Sequence, residues 1–180
     1  MRQRVIRAGA GITGFALLLA LGAPQAGSTV RTLEPVKPPR AVADFALPAA
    51  RGGTLSIADF RGHFLLVNFW AVWCTPCRTE MPGLERLSSL MQAEGLRVLG
   101  VHVGPSAQQA QRFVARAGLS FPIVIDEAMA LEGWQVSGLP TTYLLDPAGN
   151  IIAGARGERA WDHPAMLQAL KALMEPLGSP

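Results

Sequence analysis

Residues 67–82 read VNFWAVWCTPCRTEMP, and the two cysteines of the 180-residue chain, Cys74 and Cys77, both lie in this stretch. Phe64–Trp70 (FLLVNFW) is a near-continuous apolar run, the pattern of a strand buried on both faces. Thr75–Ala93 reads as a helix closed by Gly95. Cys74 therefore falls at a strand-to-helix junction, where unpaired backbone N–H groups and the helix dipole stabilise an anion. That lowers a thiol pKa and supplies thiolate, the attacking species in disulfide exchange. Cys77 lies one turn inside on the same face, placed to close on Cys74, and Pro76 stiffens the turn between them.

The helix carries a second signal. Positions 77, 80, 84, 87 and 91 form one face and hold Cys77, Glu80, Leu84, Leu87 and Met91. A carboxylate thus interrupts an apolar stripe one turn beyond the inner thiol. Two readings stand: Glu80 at the rim of the stripe reaching water, helped by a kink at Pro82, or a partly buried acid with a raised pKa coupled to the thiols.

Outward from this core the chain alternates. Ala43–Leu47 and Thr54–Ile57 read as a small hairpin about Gly52-Gly53. Arg97–Val103 and Phe121–Asp126 read as buried strands, with a helix over Ser106–Ala117 between them that stops at Gly118. A short helix is expected over Glu127–Gln135. Thr141–Asp146 and Ile151–Ala155 form a hairpin across Pro147–Asn150, and Pro164–Leu177 is an amphipathic closing helix. This order predicts an α/β fold with a mixed sheet and its working end at the strand carboxyl termini.

The N-terminus reads as an address. Arg2, Arg4 and Arg7 precede an uncharged run from Ala8 to Ala23, which is short and glycine-diluted for a full span. Residues 1–27 are expected to be a signal peptide or an N-terminal membrane anchor through residues 8–23, with the remainder outside the cytoplasm: periplasmic or otherwise extracytoplasmic. Residues 28–42, with Pro35, Pro38 and Pro39, read as a linker, and residues 43–180 as one domain. Of the 16 Lys and Arg, three sit in the address; the other 13 face all 13 Asp and Glu. No basic block remains, which argues against nucleic-acid binding.

WCTPC, preceded by VNFWA and followed at residues 137–146 by SGLPTTYLLD, resembles the TlpA/ResA-like family of exported thioredoxin-fold thiol–disulfide oxidoreductases. The resemblance runs from about Ala43 to the C-terminus. It implies a thioredoxin fold: a mixed central sheet flanked by helices, with an N-terminal hairpin and an insertion between the two halves, for which Ser106–Ala117 is the candidate. It implies that Cys74 is the nucleophile and Cys77 the resolving thiol, with Glu80 near them, and that Leu139–Pro140 is a cis peptide facing the pair. Trp73, Thr75, Pro76, Leu139, Pro140 and Thr141 would then form the substrate groove, pairing with an extended segment by β-augmentation. The implied cofactor is none beyond the redox-active Cys74–Cys77 disulfide, with no metal. The implied partners are protein thiols and disulfides, reduced for example on apo-cytochrome c or at an assembling copper site, and a membrane thiol-electron carrier as reductant. Cytoplasmic thioredoxins have a buried aspartate where this chain has Asn68. Asparagine cannot accept a proton, which leaves open the group that manages the proton on Cys77.

Competing readings come from other classes. The cysteines could be half a zinc site, but His63, His102 and His163 lack paired ligand spacing. A purely structural disulfide would close a very small loop and stabilise little. A thiol peroxidase usually needs threonine three residues before its reactive cysteine; Ala71 and Cys74 occupy those places. A non-enzymatic adaptor or copper chaperone binding through the thiols is the remaining alternative. Trp70, Trp134 and Trp161 read as packing, His102 as a satisfied sheet histidine rather than a proton relay, and Arg78 as a solvated side chain rather than a tuner of the thiolate.

Overall fold

The computed structural model describes residues 30–129 and 132–175. Its elements in chain order are β1 (Glu34–Ala41), β2 (Ala46–Pro48), β3 (Thr54–Ser56), β4 (Phe64–Trp70), α1 (Thr75–Met91), β5 (Leu96–Val103), α2 (Ala107–Ala117), β6 (Ile123–Asp126), β7 (Thr141–Leu145), β8 (Asn150–Arg156) and α3 (Pro164–Met174). Six strands form one mixed sheet in the order β1-β8-β7-β4-β5-β6, and β2 and β3 form a separate antiparallel hairpin. β4, β5 and β6 are parallel; β7 runs antiparallel to β4, β8 to β7 and β1 to β8.

Side-chain alternation sorts the sheet into two cores. Leu66 and Trp70 of β4 and Val98 of β5 pack with Leu84 and Leu87 of α1, Ala110 and Val114 of α2, and Leu170 of α3. Leu65, Val67 and Phe69 of β4 and Leu99 and Val101 of β5 pack on the other face with Phe45, Ile57 and Trp134. The three α-helices thus share one face, and the hairpin and short 3-10 turns cover the other. Right-handed crossovers explain this: β4–α1–β5 and β5–α2–β6 step across the sheet in the same direction, so both helices land on the same side. The helix expected as an insertion is therefore the crossover of a β5–α2–β6 unit.

Three sequence expectations need correction. The segment read as a linker forms β1 from Glu34 to Ala41, paired with Asn150–Gly154 of β8. Its prolines obscured it, but an edge strand tolerates residues that cannot donate to the ladder, and the register shifts between Pro35 and Arg40, spanning Pro38 and Pro39. Of the helix expected over 127–135, the described residues show a 3-10 turn at Glu132–Trp134. The first hairpin strands are three residues each, shorter than read. The expected signal or anchor, residues 1–27, lies outside the described residues. Among the described residues no helix is long and apolar enough to cross a membrane.

Candidate active site

The carboxyl end of β4 delivers the chain straight into the cysteine motif. Cys74 is the N-cap of α1, and its Sγ accepts from the Cys77 backbone N–H at 3.3 Å. Cys74 and Cys77 are joined by a disulfide. Cys77 is fully buried and Cys74 nearly so, while Trp73 beside them is 64% exposed and Thr75 and Pro76 are exposed. The positive end of α1 therefore points at the one sulfur close to solvent.

Glu80 is not at a rim. It is 3% exposed, on the same helix face as Cys77, Leu84, Leu87 and Met91, all buried. Three N–H donors converge on its carboxylate. Asn68 Nδ2 donates to Oε1 at 2.8 Å; the Arg159 backbone N–H and Trp161 Nε1 donate to Oε2 at 3.1 and 3.0 Å. Asn68 is anchored in turn by Thr142, its register partner on β7, whose Oγ1 accepts from Nδ2 at 2.9 Å. Burial raises the Glu80 pKa to about 7, and the three donors hold it from rising further. A carboxyl that exchanges its proton near neutrality thus stands one helical turn from the inner cysteine.

The sequence pointed to Glu80 and Asn68 but missed Arg159 and Trp161, 79 and 81 residues from Glu80 in the chain. In sequence Trp161 reads as a packing residue, and its indole N–H adds a bond to the carboxylate. Arg159 also fastens the turn after β8, its guanidinium donating to the carbonyls of Arg156, Gly157 and Glu158 and to Thr32 near the start of β1.

The second half of the site comes from the start of β7. The Leu139–Pro140 peptide is cis. Thr141 pairs with Phe69, so Pro140 stands at the same end of the sheet as the motif. The Pro140 carbonyl accepts from Gly157 N–H at 2.8 Å. Thr141 is buried, paired on both sides within β7, and its hydroxyl donates to the Gly138 carbonyl at 2.7 Å. Its side chain holds the turn together rather than facing a groove. Leu139 is half-buried and lines an apolar cleft of about 440 Å³ together with Phe69, Trp73, Val103, Met129 and Val136. Trp73 and Met129 are two of the three large apolar residues left exposed among the described residues.

His102 fixes the loop from behind. It is fully buried at the carboxyl end of β5, opposite Trp70, with the two rings edge to face at 5.1 Å. Its Nε2 accepts from the Val72 backbone N–H at 3.3 Å, so the neutral ring carries its proton on Nδ1. Burial lowers its pKa, against a smaller upward pull from Glu127. Among the described residues no group of three or more His, Cys, Asp or Glu gathers as a metal site.

The profile of the AhpC/TSA family matches residues 38–153. The chain is 38% identical over 109 residues to the thiol-disulfide oxidoreductase ResA of Geobacillus kaustophilus, a match covering 60% of this chain and 63% of that relative's length. A secreted thiol-disulfide isomerase from Corynebacterium glutamicum superposes with a TM-score of 0.66 at 26% identity, covering 83% of this chain and 95% of that one. StoA from Bacillus subtilis superposes with a TM-score of 0.61 at 25% identity, covering 75% and 98%.

Proposed function

The chain belongs to the AhpC/TSA family, and on that premise we propose that it is an extracytoplasmic thiol–disulfide oxidoreductase that reduces disulfides of protein substrates. The observation that carries this reading is the Cys74–Cys77 bridge at the N-terminus of α1 with Glu80 buried one turn below it. The relatives' names support the class of chemistry.

In the reduced protein the Cys74 thiolate attacks one sulfur of a substrate disulfide. A Cys74–substrate bond forms, the substrate S–S bond breaks, and the second substrate sulfur leaves as thiolate. Cys77 then loses its proton and attacks the Cys74 sulfur, which releases the first substrate sulfur and regenerates the internal disulfide. Two electrons pass to the substrate. We read Glu80 as the group that takes the Cys77 proton, a reading supported by its burial one turn from Cys77 and by Asn68, whose amide donates to the carboxylate. Trp73, the cis Leu139–Pro140 turn and the apolar cleft beside them would seat the substrate.

Return of electrons calls for a thiol donor at the membrane, and cytochrome c maturation or copper-site assembly are substrate settings consistent with a reductant. Export rests on the arginine-led apolar segment at the N-terminus. The peroxidase reading lacks its threonine, with buried Ala71 three residues before Cys74. The deciding experiment is equilibration of the Cys74/Cys77 couple against thiol buffers of known potential. A strongly reducing couple supports the reductant; a potential near that of strong exported oxidants reverses the direction of electron flow.

A further inference from the structure

A second cleft, of about 320 Å³, borders the motif away from Trp73. It is lined by Val72, Arg78, Gln109, Arg112, Phe113 and Arg116. Val72 and Trp73 are adjacent in sequence, yet one lines this cleft and the other lines the apolar one, so the loop leading to Cys74 separates the two. Arg78 is fixed in place: its Nη1 donates to the Val72 carbonyl at 2.7 Å. Arg112 and Arg116 stand one turn apart on α2, and among the described residues neither has a hydrogen bond or an ion pair. Like charges at this spacing destabilise a helix. No acidic residue occurs anywhere from Gly95 to Ile125, so the arrangement has no internal counter-charge along this stretch of chain. Phe113, half-buried against Trp70 at 5.4 Å between centroids, gives the cleft an apolar floor. Residues 28–180 carry 13 basic and 13 acidic side chains in all, so three guanidinium groups around one cleft against the loop before Cys74 are a local excess of positive charge.

We propose that this cleft docks an acidic segment of the protein whose cysteines exchange with Cys74, so that Arg78, Arg112 and Arg116 select substrates by carboxylates flanking their thiols. The proposal rests on the thiol-exchange reading and adds a basis for partner choice. Complementary charge of this kind steers encounter and fixes register more than it adds raw affinity.

The test uses the full chain and two peptides, one with glutamates flanking a central cysteine disulfide and one with glutamines in their place. Exchange rates are measured for both, and cysteine-free versions are titrated by fluorescence anisotropy. The acidic peptide is expected to bind and react about 3–10-fold better than its glutamine counterpart at low ionic strength, an advantage that fades at about 1 M salt, where the screening length falls to about 3 Å. In R112S/R116S the ratio of acidic to neutral rates is expected to fall toward one, and in R112K/R116K to recover most of its value. Equal treatment of the two peptides by the original chain, or a ratio unmoved in R112S/R116S, overturns the proposal. Exchange with neither peptide would instead sink the redox reading, while the anisotropy titration still judges the cleft.

Discussion

Trp161 Nε1 donates to Glu80 Oε2 at 3.0 Å, joining the turn before α3 to the helix that carries both cysteines. Both residues are buried, so this bond forms where water cannot substitute for either partner. It ties the acid to a residue 81 positions further along the chain. The position of Glu80 relative to Cys77 is thereby set from three sides: Asn68 from the sheet, Arg159 from the turn after β8, and Trp161 from the approach to α3.

This cage makes stability depend on pH in a defined direction. The Glu80 pKa is raised from 4.5 to about 7 by burial, so between these values the folded protein holds a proton that the unfolded chain has released. The contribution is full below about pH 4.5 and is lost as pH rises through 7, and a shift of this size corresponds to roughly 3 kcal/mol. Glu80→Gln should flatten that slope in denaturant titrations of the oxidised protein between pH 5 and 8. The glutamine can be accommodated if Asn68 turns its amide, because Asn68 Oδ1 has no partner among the described residues and could accept from the new amide. A slope unchanged by the substitution would show that another group titrates.

Trp161→Phe removes one donor to the carboxylate and keeps most of the ring. Hydrogen bonds to ionised groups contribute roughly 1.5–3 kcal/mol, more than those to neutral ones. The variant should therefore lose about that much stability at pH 8.5, where Glu80 is ionised, and less at pH 5.5, where it is protonated. The small volume loss acts equally at both values. Paired denaturant curves at the two pH values check this, and equal losses would assign Trp161 to packing alone.

The stripe on α1 was readable because a helix repeats every 3.6 residues, so Cys77, Glu80, Leu84, Leu87 and Met91 announced a buried face. The motif was readable because an apolar strand run precedes it and a helix follows. The partners of Glu80 were not, because Arg159 and Trp161 reach it through tertiary packing and no local period records that contact. β1 was hidden by its prolines, which signal a linker unless the strand lies at a sheet edge. In the stretch after β6, expected as a helix, the described residues form a helical turn only at Glu132–Trp134, where Trp134 packs against Phe45 and Phe69.

The proposed roles of the two cysteines in exchange are supported by their positions. Cys77 is inaccessible, and Cys74 is the sulfur capped by the helix N-terminus. Cys77→Ser should accumulate mixed disulfides with protein substrates, visible on non-reducing gels, whereas Cys74→Ser should give few. In the reduced protein an ionised Glu80 disfavours a neighbouring thiolate, so Glu80→Gln should lower the apparent thiol pKa. Equal trapping by both cysteine variants, or superimposable thiol titrations with and without Glu80, would contradict these assignments.

His102 should act in the opposite sense from Glu80. Burial holds its pKa below 6.5, so the unfolded chain takes up a proton before the folded one does. Its contribution is present above pH 6.5 and is lost as pH falls below that value. The loss has a location. A protonated imidazole carries N–H on both nitrogens, and Nε2 can then no longer accept from the Val72 backbone N–H, two residues before Cys74. Amide hydrogen exchange at Val72, corrected for its intrinsic pH dependence, should therefore speed up below pH 6.5 ahead of amides in the centre of β4. His102→Gln offers a carbonyl oxygen in place of Nε2 and cannot titrate, so it should abolish the acid-side acceleration while leaving the neutral-side slope from Glu80 in place. Acid-side acceleration persisting in His102→Gln would mean that a different group governs the loop before Cys74.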